Sequence, residues 1–489
     1  MRFFICKDKS KFTKDWNVEK FGDWYFMRED DVELFEGKDY IILWCGYLIE
    51  GDMRNVLKNF SFRNANGNFF AIKLTKTDYQ IELDYFQNHK LFVGDKYGIE
   101  ITNYMPYMTI KKEDIVRKHV VPDEHEREHT PAEKTTYYDR IFIYDPKYDY
   151  IGDAKKAFAQ NFWHDQNELT EYIHKCMKQH SEIIKAKYPK RMCALSEGID
   201  SCLQGQFFRE DKQLLYILNP CDSGENHKKY IEYTASQFPD THILTFEAKD
   251  NRQHCIDNLI DSSCRWQSMM PTLKQVKMQD EKPDMLMYGG NGNEMFCRDL
   301  IPHMLYLCLK YYERDTEKMK ENLLKDISGK HNLYGSMYSM PAEELGGGAD
   351  ANMILTHHGF SALVNKFMGN MFGNEANRMH YLQKKSYEEF EHVLMNLTTP
   401  KLYTRVIAGN LNIMSSSLYS DRRIFYEFLK SEDRWLSGNA MDAPIQRALL
   451  DKYNYKFITP RNDIVGAPYE ELYSTSYEAT IDHDLEQNL

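Results

Sequence analysis

Apolar and polar positions change their rhythm twice along the chain. Residues 1 to about 110 carry short apolar runs broken by turn chemistry: "DYIILWCGYLIEGD" (39–52), "NGNFFAIKLT" (66–75), "QIELDY" (80–85) and "KLFVGDKYG" (90–98). Strands and hairpins are expected there, with an Asn-Gly turn opening the second run and a short helix at "MRNVLKNF". Residues 111–150 are polar and proline-marked, with one more strand expected at "RIFIYD". From 153 the spacing becomes helical, and "QNELTEYIHKCMKQHSEIIKAKY" places Leu169, Tyr172, Ile173, Cys176 and Met177 on one face.

Between 191 and about 300 strand-like and helix-like segments alternate. "RMCAL", "QLLYILN", "HILTFEA" and "DMLMYGG" read as strands, and "CLQGQFFRE", "ENHKKYIEYTASQF" and "QHCIDNLIDSS" as the helices between them. This alternation predicts right-handed crossovers and a mostly parallel sheet. The remainder reads mainly helical, with a break at "GGGAD" (346–350). The expected fold class is α/β in two domains, 1–150 and 151–489.

Two loops carry candidate chemistry. "SEGIDS" (196–201) follows the apolar "MCAL", and "YGGNGNEMF" (288–296) follows "MLMY". Ligands bind beyond the carboxyl ends of strands in an open parallel sheet. Gly198 is expected to let the backbone turn tightly, Ser196 and Ser201 supply hydroxyls, and the amides opening the next helix favour anions. Asp200 beside a phosphate makes sense with Mg²⁺ between them. The same six residues also fit an ordinary capped helix start. The second glycine-rich turn, with Gly289, Gly290, Asn293 and Glu294, favours the nucleotide reading.

Composition narrows the classes. With 489 residues, 42% of them apolar, the chain can bury two or three cores. A net charge of −12 argues against a nucleic-acid partner. The longest apolar runs are too short to span a bilayer and the N-terminus is too charged for a secretory signal, so a soluble, cytoplasmic protein is expected. The ten cysteines form no CxxC pair and read as buried reduced thiols.

The order and spacing of these segments resemble the asparagine synthetase family over essentially the whole chain. "LSEGIDS" resembles the SGGxDS pyrophosphate loop of the ATP pyrophosphatases, and "GGNGNEMF" the GEGxDElF segment of asparagine synthetases. "NGNFFAI" and "GDKYGI" look like strands of the family's amidotransferase domain, "SLYSDRRIFYEF" (417–428) its PFLDxxlvef segment, and "APIQRALLDKY" (443–453) its KxxLRxa segment. β-Lactam synthetases and lasso-peptide cyclases share this architecture.

The resemblance implies an N-terminal four-layer αββα sandwich of Ntn type. A doubly wound parallel-sheet, adenine-nucleotide α hydrolase-like (PP-loop) domain would follow it. The family's glutaminase needs a cysteine directly after the initiator methionine. This chain has Arg2 there, and Cys6 stands four positions too late. The implied reaction is therefore ATP- and Mg²⁺-dependent activation of a small-molecule or peptide carboxylate, then amide formation with an amine, without glutamine hydrolysis. Ser196, Gly198, Asp200, Ser201, Gly289 and Gly290 would bind ATP, and Asp200, Glu197 and Glu294 the metal. By analogy with the family a homodimer is expected.

Four positions depart from the pattern. Glu197 stands where the loop has glycine, and Asn293 where a second metal-binding aspartate is expected. Gly290 or Asn291 replaces a glutamate, and Asp463 in "ITPRNDIVGAPYE" falls near a lysine that faces the phosphates. A carboxylate about 5 Å from a phosphate charge, at an effective dielectric near 20, costs about 3 kcal/mol, roughly a hundredfold in affinity. Either Glu197 replaces the lost metal ligand, or the chain is a catalytically degenerate scaffold that acts by binding a protein. The retained Ser196, Gly198, Asp200 and Ser201 favour the ligase, and the lost lysine and misplaced acids favour the scaffold. A third class, nucleobase-modifying and tRNA-thiolating enzymes, usually carries paired cysteines or a basic face, and this chain has neither.

The other constellations have plain readings. His357 and His358 are adjacent and point to different faces. "REDDVELFE" (28–36) reads as a solvated acidic face. "SSS" (415–417) reads as a helix cap or a phosphate-contacting turn.

Overall fold

The computed structural model describes residues 1–114, 136–209 (except 137, 145, 147, 149–152, 154, 155, 158, 159, 161, 162 and 197), 214–220, 232–238, 241–246, 283–296 (except 291), 412–431 and 443–457; for 214–220, 242–246, 293 and 294 it describes the backbone alone. The fold is mixed α/β, with antiparallel sheets built from the first 143 residues and a parallel sheet from residues beyond 190.

Ten strands form the antiparallel part: β1 (Phe3–Cys6), β2 (Glu19–Phe21), β3 (Trp24–Arg28), β4 (Glu33–Glu36), β5 (Tyr40–Glu50), β6 (Asn66–Thr75), β7 (Tyr79–Leu83), β8 (Phe92–Gly94), β9 (Glu100–Thr102) and β10 (Ile141–Ile143). One sheet runs β10-β8-β9-β1-β3-β2 and the other β4-β5-β6-β7. They share a core in which Phe3 of β1 meets Phe70 of β6 with ring centroids 5.1 Å apart. Strand β5 explains its own sequence. Ile41, Leu43, Cys45 and Tyr47 face that shared core, while Ile42 and Trp44 face helix α1 (Met53–Asn59) with Leu57. A strand buried on both faces reads as a continuous apolar run. Asp52 caps α1 by accepting from the Arg54 amide at 3.0 Å, and Phe60 closes it with φ at 45°.

The expected Asn-Gly turn at 66–67 is instead inside β6, opposite Glu50 and Leu48 of β5 at a bulge. Tertiary pairing overrides the local turn preference here, because Asn66 and Asn68 are buried and bond across to the second half of the chain. The acidic segment at 28–36 is likewise more than a solvated face. Glu29 is half-buried and accepts from the Met1 ammonium at 2.6 Å and from Asn412 Nδ2 at 2.7 Å. Burial raises its carboxyl pKa, but these donors outweigh burial and hold it below the usual range.

Helix α2 (Gln166–Lys187) begins at Asp165, whose side chain accepts from the Asn167 amide at 2.7 Å. Its buried stripe of Leu169, Ile173, Cys176, Met177, His180 and Ile184 joins the same core as the sandwich. The parallel sheet follows with β11 (Arg191–Leu195), β12 (Leu214–Pro220), β13 (Thr241–Phe246), β14 (Met285–Met287) and β15 (Met414–Ser416), in the order β13-β12-β11-β14-β15. Every neighbouring pair is parallel. The chain starts at β11 in the centre, winds outward through β12 and β13, then resumes on the other side at β14. The strand order therefore reverses between β11 and β14, and in open parallel sheets ligands bind beyond the carboxyl ends at such a point.

The four strands expected at 191–287 are present. Strand β15 was not expected: two of its three residues, Ser415 and Ser416, belong to the triplet read as a cap or turn. Helices α3 (Ile199–Gln206), α4 (Gly292–Met295), α5 (Arg422–Leu429) and α6 (Pro444–Asp451) complete the described part. Among the described residues no helix is long and apolar enough to cross a membrane. The five described cysteines, 6, 45, 176, 193 and 202, are buried thiols outside any disulfide.

Candidate functional site

Both candidate loops lie at the reversal point, one after β11 and one after β14. In the first, Ser196 and Ser201 bond to each other rather than outward. Ser201 Oγ accepts from the Ser196 amide at 3.0 Å and lies 2.9 Å from Ser196 Oγ, and Ser196 Oγ accepts from the Gly198 amide at 3.1 Å. These bonds hold the turn in shape before any ligand arrives. Helix α3 begins immediately after Gly198, and its first intrahelical bond is Cys202 N–H to Gly198 C=O at 3.1 Å. The opening amides of a helix have no carbonyl partner within it, so this end favours an anion.

Gly198 does not serve the expected purpose. Its φ is −73°, which any residue adopts, and a Cβ there would meet Ser196 Oγ at 3.2 Å. The turn itself does not require glycine at 198.

The glycines that need to be glycines are in the second loop. A Cβ on Gly289 would lie 2.7 Å from the Ser201 nitrogen, so the two loops pack backbone against backbone. A Cβ on Gly292 would lie 2.2 Å from Asp200 Oδ1, so the Asp200 carboxylate rests directly over the start of α4. Gly290 is held differently: its carbonyl accepts from Ser417 Oγ at 2.7 Å.

The segment after β15 and helix α6 supply contacts that the sequence did not signal. Tyr419, fully buried, donates its hydroxyl to the Asp200 carbonyl at 2.8 Å. Gln446 of α6, also buried, donates Nε2 to Asp200 Oδ1 at 3.0 Å. Gln204 accepts from the Leu418 amide at 2.9 Å. Ser417, Tyr419 and Gln446 thus fasten both loops from a part of the chain more than a hundred residues downstream. The family-like segments at 417–428 and 443–453 contain Ser417, Tyr419 and Gln446, but nothing in their spacing tied these residues to the two loops.

A second polar cluster joins the sandwich to the parallel sheet close by. The Tyr47 hydroxyl lies 2.8 Å from His180 Nε2 and 2.7 Å from Ser416 Oγ. Asn68 Nδ2 donates to the Ser415 carbonyl at 2.9 Å, and Asn66 Nδ2 to Asp421 Oδ1 at 2.9 Å. Arg423 pairs with the buried Asp421 at 2.7 Å.

Of the expected site residues, Ser196, Gly198, Asp200, Ser201, Gly289 and Gly290 come together in one place. Glu197, Asn291, Asp463, His357 and His358 lie outside the described residues, as do the side chains of Asn293 and Glu294. Among the described residues no group of three or more histidine, cysteine, aspartate or glutamate side chains could hold a metal. Asp200 is the one expected metal ligand whose side chain is described. The donor set fits a nucleotide–metal group in part: a half-buried carboxylate at a helix mouth, with glycines keeping both loops close around it. Cys6 is a different case: burial pushes its thiol up to about 11, so it is protonated at neutral pH.

No protein-family model matches the chain, and no curated protein matches it.

Proposed function

We propose that the chain is an asparagine-synthetase-like ligase that uses Mg²⁺ and ATP to activate a carboxylate and joins it to an amine without hydrolysing glutamine. In this reading the two antiparallel sheets are an Ntn-type αββα sandwich retained as structure, and the parallel sheet is a PP-loop nucleotide domain. The observation that carries the reading is the seating of Asp200 against Gly292, where the strand order reverses between β11 and β14. A carboxylate that shares a helix mouth with a bound phosphate is costly unless a cation lies between them.

Bound Mg²⁺·ATP would supply an electrophilic phosphorus and neutralise the departing pyrophosphate. The protein's part is to hold and orient. Asp200 would take the metal, with Glu197 and Glu294 as the further ligands. The opening amides of α3 would face the phosphates. Ser196 and Ser201 would keep the loop rigid, so that little ordering is left to pay for on binding. The raised thiol pKa of Cys6 makes that thiol a poor nucleophile for glutamine at neutral pH.

The test is exchange of labelled pyrophosphate into ATP with a panel of carboxylates and amino acids, together with calorimetry of ATP and Mg²⁺. Exchange with one acid establishes the activation step and names its substrate class. No exchange and no heat at millimolar nucleotide would end the ligase reading. One contact favours a second reading, a degenerate scaffold acting through protein binding: the neutral amide of Gln446 sits on Asp200 Oδ1, where a cation could sit instead. Calorimetry separates the two, because the scaffold has no Mg²⁺-dependent ATP heat.

A further inference from the structure

Strands β5 and β6 each carry an apolar face that turns polar at one end. Along β6, Phe70, Ile72 and Leu74 face the shared core, and the two earlier positions on that face hold Asn68 and Asn66. Along β5, Ile41, Leu43 and Cys45 are followed on the same face by Tyr47, which stands opposite Asn68 in the ladder. All three polar side chains are buried, which is costly unless they are hydrogen-bonded. They bond to one short stretch, 415–422. Asn68 Nδ2 donates to the Ser415 carbonyl at 2.9 Å, and the Tyr47 hydroxyl lies 2.7 Å from Ser416 Oγ. Asn66 Nδ2 donates to Asp421 Oδ1 at 2.9 Å, and Asn66 Oδ1 accepts from the Arg422 amide at 3.1 Å.

The same stretch holds both candidate loops. The Ser416 carbonyl accepts from the Tyr288 amide at 3.1 Å, and Ser417 Oγ donates to the Gly290 carbonyl at 2.7 Å. The Leu418 amide donates to Gln204 Oε1 of α3 at 2.9 Å, and the Tyr419 hydroxyl to the Asp200 carbonyl at 2.8 Å. Residues 415 and 416 are thus gripped by the sandwich, and residues 416–419 grip the loops. We infer that the antiparallel half is a brace for the site: Tyr47 and Asn68 are positioning residues that fix β15, and through it the spacing of the loops after β11 and β14. A site whose spacing is set in advance loses less freedom on binding. The sandwich then has a part in ligand binding that needs no glutamine chemistry. That the ligand is a nucleotide rests on the ligase reading; the bracing does not.

Amide hydrogen exchange of the ligand-free, full-length protein reads local opening. Peptides from 191–206 and 285–296 report the two loops, and 214–220 is the reference. Tyr47→Phe and Ser416→Ala remove the hydroxyl bond from either end, and Asn68→Leu removes the amide. Leu57 packs on the opposite face of β5 with Ile42 and Trp44, so Leu57→Ala loosens the sandwich without reaching β15. Loss of one buried hydrogen bond is expected to speed exchange in both loops by about fivefold and to weaken Mg²⁺-dependent ATP binding, read by calorimetry, by about the same factor, with the reference unchanged. Leu57→Ala leaves both loops as they are. Loop exchange that stays unchanged in Tyr47→Phe, Ser416→Ala and Asn68→Leu, or that rises equally in Leu57→Ala, overturns the inference and leaves the ligase reading standing. Faster loop exchange in those three variants, with no ATP heat in the unsubstituted protein, establishes the brace and removes the ligase reading.

Discussion

Asp200 Oδ1 stands so close to Gly292 that a methyl group added at 292 would lie 2.2 Å from it. Two residues 92 positions apart therefore share one small volume, and the smaller of them has to be glycine. Gly292→Ala must rotate the carboxylate off Gln446 or push the two loops apart. Overpacking of this kind costs about 1–3 kcal/mol. The expected result is a protein that still folds, with a modest loss in urea midpoint and at least a tenfold loss in Mg²⁺-dependent ATP binding (about 1.4 kcal/mol). Full ATP binding by a folded Gly292→Ala protein would show that Asp200 need not stay where it is.

Gly289 makes the stiffer contact, because its neighbour is the Ser201 backbone nitrogen at 2.7 Å and not a side chain that can turn away. Gly289→Ala should cost more stability than Gly292→Ala, toward the upper end of about 1–3 kcal/mol. Denaturant unfolding of the two variants side by side checks the order.

Glu197 separates two kinds of electrostatics. If it ligates the metal, Glu197→Gln abolishes Mg²⁺-dependent ATP binding. If it only repels the phosphates, the same variant binds ATP more tightly, by up to about a hundredfold on the 3 kcal/mol scale. The ligase reading with a relocated metal expects the loss, and calorimetry decides the sign.

The Tyr47 hydroxyl bridges His180 on α2 and Ser416 on β15, and all three are buried. Tyr47→Phe leaves two buried polar groups short of a partner, at about 1–3 kcal/mol. Ser416→Ala removes one of them. The double variant should therefore cost less than the sum, with a coupling of at least about 0.5 kcal/mol. Strict additivity would mean that the sandwich and the parallel sheet are not joined through this hydroxyl.

Burial pushes the imidazole of His180 down from its usual 6.5 to about 4. Below pH 6.5 the unfolded chain takes up a proton that the folded chain refuses. The stability owed to the neutral ring is thus fully present above 6.5 and is lost as pH falls toward 4. The loss amounts to about 1.4 kcal/mol for each pH unit in that window. His89 is pushed down by burial to about 3 and adds a loss of the same sign. His180→Gln keeps a hydrogen-bonding group near Tyr47 and cannot titrate. Urea unfolding between pH 7 and 5 should show its pH slope reduced by one histidine's share, with that of His89 remaining.

By itself the sequence determined the local things: where strands and helices form, which faces are apolar, and that two glycine-rich turns end two strands of a parallel sheet. Those features depend on neighbours a few residues apart, through alternation, helical spacing and strand-to-turn transitions. It also set out the chemistry of the first loop, because Ser196, Gly198, Asp200 and Ser201 stand within six positions. Only the tertiary structure decided what surrounds Asp200. Gly292, Tyr419 and Gln446 reach it from 92, 219 and 246 positions away, and no spacing rule links residues that far apart. Packing also reversed two local readings. Asn66 and Gly67 carry turn chemistry yet lie in β6, where pairing with β5 and bonds to β15 and Asp421 outweigh the turn preference. Ser415 and Ser416 look like a cap yet lie in a strand of the parallel sheet, because the ladder to β14 satisfies backbone groups that a cap would leave to water.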